Sequence, residues 1–233
     1  GTEKLEERLK EIFDEDRILR MDADSMTSKT KIDKAYQDFL NNKYDILIGT
    51  QILAKGFHFP NVTLVGILNA DQMLSYPDYR AYERSYQLIA QASGRSGREG
   101  KKGQVFIQTY DKDSILINSI ITNDYNLIYE EQMKLREKLG YPPYKKHIKI
   151  LFTDTNRLNK IASSCYQYIL NKLGTYAKIY PVAKCMVYKA SKRYRVNINI
   201  LYDRKNDKVI KKIIRKLIEN RNRIVTRILV DVD

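Results

Sequence analysis

The chain is short of the cysteines and histidines that build a thiolate or imidazole metal centre. It has two cysteines, Cys165 and Cys185, twenty residues apart with no C-x-x-C, and two histidines, His58 and His147. That supply excludes a cysteine or histidine metal cluster and a disulfide framework. Cys165 falls on the apolar stripe of an expected helix, where a small thiol fills core space. No apolar run approaches the ~20 residues that a membrane-spanning helix needs. The opening, GTEKLEERLK, has no initiator Met, no apolar signal core and no Arg-rich transit pattern. A cytoplasmic protein is expected from these absences, and one cut from a longer chain. Also missing are a G-x-x-x-x-G-K-[ST] run and an apolar strand ending in Asp-Glu, the residues that cradle phosphates and hold their magnesium.

What is present is a globular composition with a divided charge. A hydrophobic fraction of 43% over 233 residues suits one large or two ordinary domains, each with a core. The formal charge is +14, but residues 1–140 hold 20 Lys and Arg against 22 Asp and Glu, whereas 141–233 hold 22 against 6. The basicity therefore belongs to the second stretch, at +16 against −2 for the first. Such asymmetry predicts a nucleic acid or another anionic surface as partner of the basic part. A solvated basic surface explains some of it, but not the neutrality of the first part.

Hydrophobic spacing gives the order of elements. Residues 3–13 read as a helix, 17–21 as a short strand, and Ile32 to Leu40 as a helix ended by Asn41 and Asn42. DILIGT (45–50) and VTLVGILNAD (62–71) read as buried strands. A helix from about Tyr79 to Ala92 then delivers the chain into a glycine cluster, before the strand GQVFIQTY (103–110). Strands alternating with helices predict a parallel sheet with covered faces, whose ligands gather at the carboxyl ends of the strands. Gly49-Thr50, Asp71 and the 91–98 loop sit at such ends. Residues 113–139 read as helical with a break at Asn123-Asp124, and the adjacent prolines of LGYPPY (139–144) end any helix. The expected domains are 1–112, a helical linker 113–140, and a basic domain 141–233.

Beyond the prolines the expected order is β-α-β-β-α-β, the ferredoxin-like split arrangement, with strands at 147–154, 178–188, 195–202 and 223–232. Many such folds bind nucleic acid, but fold alone does not give function. The helix 205–219 sets Val209, Ile210, Ile213, Ile214, Leu217 and Ile218 against Lys205, Lys208, Lys212, Arg215 and Lys216. That basic side by itself reads as a solvated face. Lys192, Arg193 and Arg195, with Lys189 and Tyr194, form a second basic, aromatic-punctuated stretch, and together the two predict phosphate contact.

The glycine cluster poses the sharpest question. Four of the ten glycines, Gly94, Gly97, Gly100 and Gly103, fall within ten residues, around Arg95 and Arg98. A helix C-terminus with a glycine cap and dipole-complementing arginines accounts for one glycine, not for Q-x-x-G-R-x-G-R. A nucleic-acid-clamping G-x-x-G loop needs an apolar helix to resume at once, and Glu99-Gly100-Lys101-Lys102 follows instead. The third reading keeps both features: guanidinium forks for phosphate oxygens, and glycines that let backbone approach closely.

Q-x-x-G-R-x-G-R after a helix and before a strand resembles motif VI of superfamily 2 helicases, which belongs to the second of two RecA-like lobes. DILIGTQILAKGFHFPNVTLV (45–65) resembles their motif V. With Gly1-Thr2-Glu3, RMDAD (20–24), Asp71, PDYRAYER (77–84), LGYPPY and the terminal Asp231-Val-Asp233, the whole chain closely resembles the primosomal protein N′ family of bacterial replication-restart DNA helicases. Departures are Phe57 where the family usually has His, and Ser93 and Ser96 where it has small residues.

The resemblance implies a RecA-like helicase lobe 2 followed by the basic α+β domain. It implies that Arg95 and Arg98 reach the γ-phosphate of ATP, oriented or coupled by Gln91, with Gly94 and Gly97 admitting the nucleotide. Thr2, Thr50 and Lys55 would face DNA, and Gly56 would couple that contact to the nucleotide. ATP and Mg would be shared with a P-loop lobe that this chain lacks, and zinc would belong to a cysteine-rich segment that it also lacks. The implied whole protein unwinds DNA 3′ to 5′ at stalled forks and initiates primosome assembly. Its partners would be forked and single-stranded DNA, single-strand DNA-binding protein and primosome-loading proteins, in a cytoplasmic, nucleoid-associated setting with no membrane. Two alternatives remain at this point: lobe 2 of another superfamily 2 translocase, or a non-catalytic nucleic-acid-binding module.

Overall fold

A computed structural model describes residues 1–22, 25–26, 28–50, 57, 59–94, 103–154, 158–190, 193–221 and 227–232. The chain divides into two compact units, Gly1–Ile128 and Tyr129–Asp233.

The first unit alternates as its periodicity predicts: α1 (Thr2–Lys10), β1 (Ile18–Met21), α2 (Lys29–Leu40), β2 (Ile46–Gly49), β3 (Leu64–Ile67), α3 (Ala81–Ser93) and β4 (Gln104–Ile107). The start and stop signals act locally. Ser28 caps α2 by accepting the Lys31 N–H at 3.3 Å, and Asn42 turns the chain away from it at φ 58°. Instead of one continuous sheet, the described strands form two parallel pairs, β1 with β2 and β3 with β4. Residues 51–56 and 58, between the pairs, lie outside the described ones.

α1 and α2 pack on the first pair, and α3 on β3. One face of the second pair carries Ile67 and Ile107 into a core with Ile89, Leu116, Ile117 and Ile128. Leu64 and Phe106, on its other face, are exposed.

The stretch read as a linker is helical over α4 (Ile115–Thr122) and α5 (Asn126–Leu139). They separate at Asn123, left-handed at φ 53°. Leu116 and Ile117 of α4 belong to the first unit's core, and α5 runs across the boundary between the units.

The second unit holds β5 (Lys146–Asp154), α6 (Leu158–Leu173), β6 (Ala177–Ile179), β7 (Ala183–Ala190), β8 (Arg193–Tyr202), α7 (Asp207–Arg221) and β9 (Arg227–Val232). The single strand expected at 178–188 is two, β6 and β7, because Pro181 offers no N–H to the ladder. Both pair antiparallel with β8, which pairs with β5, which pairs with β9. Ile148, Ile150, Phe152, Val196, Ile198 and Ile200 share one sheet face. They close a core with Cys165 and Ile169 of α6 and Ile210, Ile214 and Leu217 of α7. Cys165 is thus the core filler its spacing predicts. The Tyr202 hydroxyl ties β8 to the first turn of α7, donating to Asp207 at 2.9 Å. Burial and that carboxylate push the Tyr202 hydroxyl well above its ordinary range.

Candidate nucleotide and nucleic-acid interface

Parallel pairing brings two expected DNA contacts to one edge. Met21 pairs with Gly49, so Asp22 and Thr50 are the next residues at the carboxyl ends of β1 and β2, and Thr50 is exposed. Thr2, at the start of α1, reaches the same edge. Its hydroxyl donates to Asp22 Oδ2 at 2.6 Å. Asp22, buried, also accepts the Ser25 N–H at 2.8 Å and lies 3.4 Å from Arg20 Nε. The Thr2 hydroxyl, the Ser25 N–H and the Arg20 charge hold the Asp22 carboxyl down at about 2. The one proton of the Thr2 hydroxyl is committed to this carboxylate. A phosphate oxygen, which has no proton, receives it only after the hydroxyl leaves Asp22.

Lys55 and Gly56 lie outside the described residues, but the loop that follows them is anchored. Phe57 and Phe59 join Tyr36 and Phe39 of α2 in an aromatic cluster with centroid separations of 5.0–6.0 Å. Phe57 therefore has a packing role here: its ring lies 5.0 Å from that of Tyr36.

Gln91 is exposed in the last turn of α3, and Gly94 ends that helix. Gly94 has φ −67° and ψ 0°, so it is not the left-handed cap that would explain a glycine there. A Cβ on Gly94 would come within 3.3 Å of the Ala90 carbonyl oxygen. Arg95, Gly97 and Arg98 lie outside the described residues. The start of α3 is held by the PDYRAYER stretch. Asp78 accepts the Arg80 N–H at 2.9 Å and the Arg84 guanidinium at 2.7 Å. The strand expected to run to Asp71 stops at Ile67, and Asp71 lies in the 3-10 turn Ala70–Ser75 that follows; it is occupied, accepting the Thr109 hydroxyl and the Tyr110 N–H, each at 2.9 Å. That carboxylate fastens the end of β4, a role its spacing alone did not show.

In the second unit, Lys192 lies outside the described residues, and alternation along β8 sends Arg193 and Arg195 to the face opposite Tyr194. Arg195 shares its face with a polar row. His147 and Asn199 Oδ1 are 3.1 Å apart, Asn199 donates to Asn197 at 2.9 Å, and Asn197 donates to the Cys185 sulfur at 3.3 Å. Sequence reading missed this row. Among the described residues no His, Cys, Asp and Glu group could hold a metal ion, and no helix is long and apolar enough to cross a membrane.

The helicase conserved C-terminal domain family matches residues 1–100. The chain is 34% identical, over its whole length, to replication restart protein PriA of Bacillus subtilis strain 168, of which it covers 29%. It is 41% identical over 72% of its length to the Haemophilus influenzae PriA, covering 23% of that protein. With the Chlamydia trachomatis PriA it shares 36% identity over 81% of its length, and 25% of that protein is covered. The chain thus spans less than a third of the length of these relatives. A match through the full chain, a helicase lobe in its first hundred residues and the arginine pattern after α3 converge, and the chain belongs to the family of primosomal protein N′, the replication restart protein PriA, as a C-terminal part of it.

Proposed function

We propose that the chain is the second motor lobe and basic C-terminal domain of an ATP-dependent 3′-to-5′ DNA helicase. The whole protein recognises stalled replication forks and initiates primosome assembly for replication restart. The observation that carries this reading is Q-x-x-G-R-x-G-R, Gln91 to Arg98, at the C-terminal end of α3. The lobe is residues 1–112, the helical linker 113–140 and the basic domain 141–233. The antiparallel order β9-β5-β8-β7, with both helices on one face, supports a ferredoxin-like reading of that domain, with an extra break at Pro181.

The residues suit a triphosphate for an electrostatic reason. A helix C-terminus carries partial negative charge and alone repels phosphate. Arg95 and Arg98 reverse that, and Gly94 leaves the backbone bare beside them. ATP, with Mg, would be shared with a P-loop lobe, and it supplies the phosphoryl bond whose hydrolysis drives movement. This chain's arginines hold charge at the γ-phosphate, and Gln91 orients them. Thr50 and Lys55 contact the DNA backbone, Thr2 does so when its hydroxyl leaves Asp22, and Gly56 couples that edge to the nucleotide. Lys192, Arg193 and Arg195 add phosphate contacts from the basic domain. The protein acts in the cytoplasm, on nucleoid DNA, with single-strand DNA-binding protein and primosome-loading proteins. Zinc belongs to a cysteine-rich segment outside this chain.

Steady-state ATPase kinetics test the reading. The chain alone is expected to show no DNA-stimulated turnover. In the protein that carries it with the P-loop lobe, Arg98→Ala should lower kcat by about 10³–10⁵ while ATP affinity falls far less. A folded Arg98→Ala variant with near-normal kcat would remove the helicase-motif assignment.

A further inference from the structure

The ladder between β7 and β8 is irregular between Lys184 and Lys189. In an unbroken strand Tyr188 and Lys189 would point to opposite faces; a bulge re-aims side chains. Here the irregularity gathers both around Tyr194. The Tyr188 and Tyr194 rings are 5.1 Å apart and tilted by 45°. Lys184 Nζ lies over the Tyr188 ring at 4.9 Å, and Lys189 Nζ over the Tyr194 ring at 5.4 Å. Both rings are half-buried and pack on the unit's core, while both lysines are exposed. The sequence has no Asp or Glu between Asp154 and Asp203. Asp154, which pairs with Tyr194 across the ladder, is buried.

From this cluster we infer that the β7–β8 hairpin is a stacking platform for the bases of single-stranded DNA, with Tyr188 and Tyr194 as the rings and Lys184 and Lys189 as the phosphate contacts. This rests on the DNA-binding reading of the basic domain and adds which form of DNA it takes and which side chains select it. A lysine over a half-buried ring at the surface is held only weakly, because water competes for the ammonium. A base stacked on that ring gains more than the lysine loses, because two apolar faces leave water together. The exchange is favourable: the base takes the ring, and the displaced ammonium turns to the adjoining phosphate. Duplex DNA, whose bases are already stacked on one another, offers no free base face. Arg193 and Arg195, on the opposite face of β8, add charge without reading bases.

The test is fluorescence anisotropy of the 233-residue chain with three labelled probes of equal length: oligo-dT, an abasic strand and a duplex. Wild type is expected to bind oligo-dT about tenfold or more tighter than the abasic strand. Tyr188→Leu with Tyr194→Leu, which keeps apolar bulk on the core, should abolish that preference and leave abasic binding unchanged. Tyr188→Phe with Tyr194→Phe should retain it. Lys184→Gln with Lys189→Gln should weaken both strands and flatten the salt dependence. Equal wild-type affinity for oligo-dT and the abasic strand overturns the platform. So does a preference that survives in the folded Leu variant, or is lost in the Phe variant. If the Leu variant does not fold, the wild-type and Phe comparisons decide. Failure to bind any probe at low salt removes the DNA-binding reading itself, and the platform with it.

Discussion

One carboxylate, that of Asp22, collects a hydroxyl, a backbone N–H and a guanidinium at the edge where Thr50 also stands. Its folded value of about 2 lies below the roughly 3.9 of an unfolded aspartate. A depressed acid stabilises the fold above its unfolded value and ceases to do so as pH falls through the folded one. Melting temperature is therefore expected to fall between about pH 4 and pH 2. Asp22→Asn should flatten that decline and lower the melting temperature at neutral pH. An Asp22→Asn curve parallel to wild type would place the acid sensitivity elsewhere, since Asp78 and Asp207 are also depressed by their partners. For Arg98, the informative partner of the alanine variant is Arg98→Lys. An ammonium has the charge but lacks the planar fork, so rescue of kcat should be poor. Rescue to near wild type would mean that charge alone suffices.

Among the elements, α3 and α6 each depend on one residue at an end. Asp78 holds the start of α3 through Arg80 and Arg84. Asp78→Ala should cost about 1–2 kcal/mol, read by urea unfolding, because a charge-assisted bond is lost in a half-buried place. The stretch that carries the family resemblance is thus also a helix clamp. Gly174 follows the last turn of α6, where a Cβ would come within 2.7 Å of the Leu170 carbonyl oxygen. Backbone cannot yield as a flexible side chain does, so Gly174→Ala should destabilise by roughly 1–3 kcal/mol. Unchanged stability would show that the turn relaxes freely.

The whole molecule pairs a nearly neutral unit with a strongly basic one. Counterion release makes such binding steep in salt, with a log–log slope of about −0.7 per phosphate neutralised on single strands. Single-strand affinity of the chain, measured over a salt series, should therefore fall linearly and steeply on logarithmic axes. A flat profile would mean that the basic surface is only solvated.

Element order was legible because it is written in local rules: apolar periodicity, Asn41 and Asn42 at the end of α2, Asn123 between α4 and α5, and adjacent prolines before β5. The arginine pattern and the neutral-to-basic division are likewise properties of the chain as a string, and they carried the family resemblance. Sequence could not show which groups consume one another's hydrogen bonds. Thr2 reads as a DNA contact until Asp22, twenty residues on, takes its proton, and Asp71 reads as a site residue until Thr109 and Tyr110, just past β4, occupy it. Nor could it show the two strand pairs, which long-range pairing decides, or the irregular ladder that turns Tyr188 toward Tyr194. Periodicity assigns a face to every residue of a regular strand. Only the pairing of β7 with β8 in space broke that period, and so put two rings and two lysines in one place.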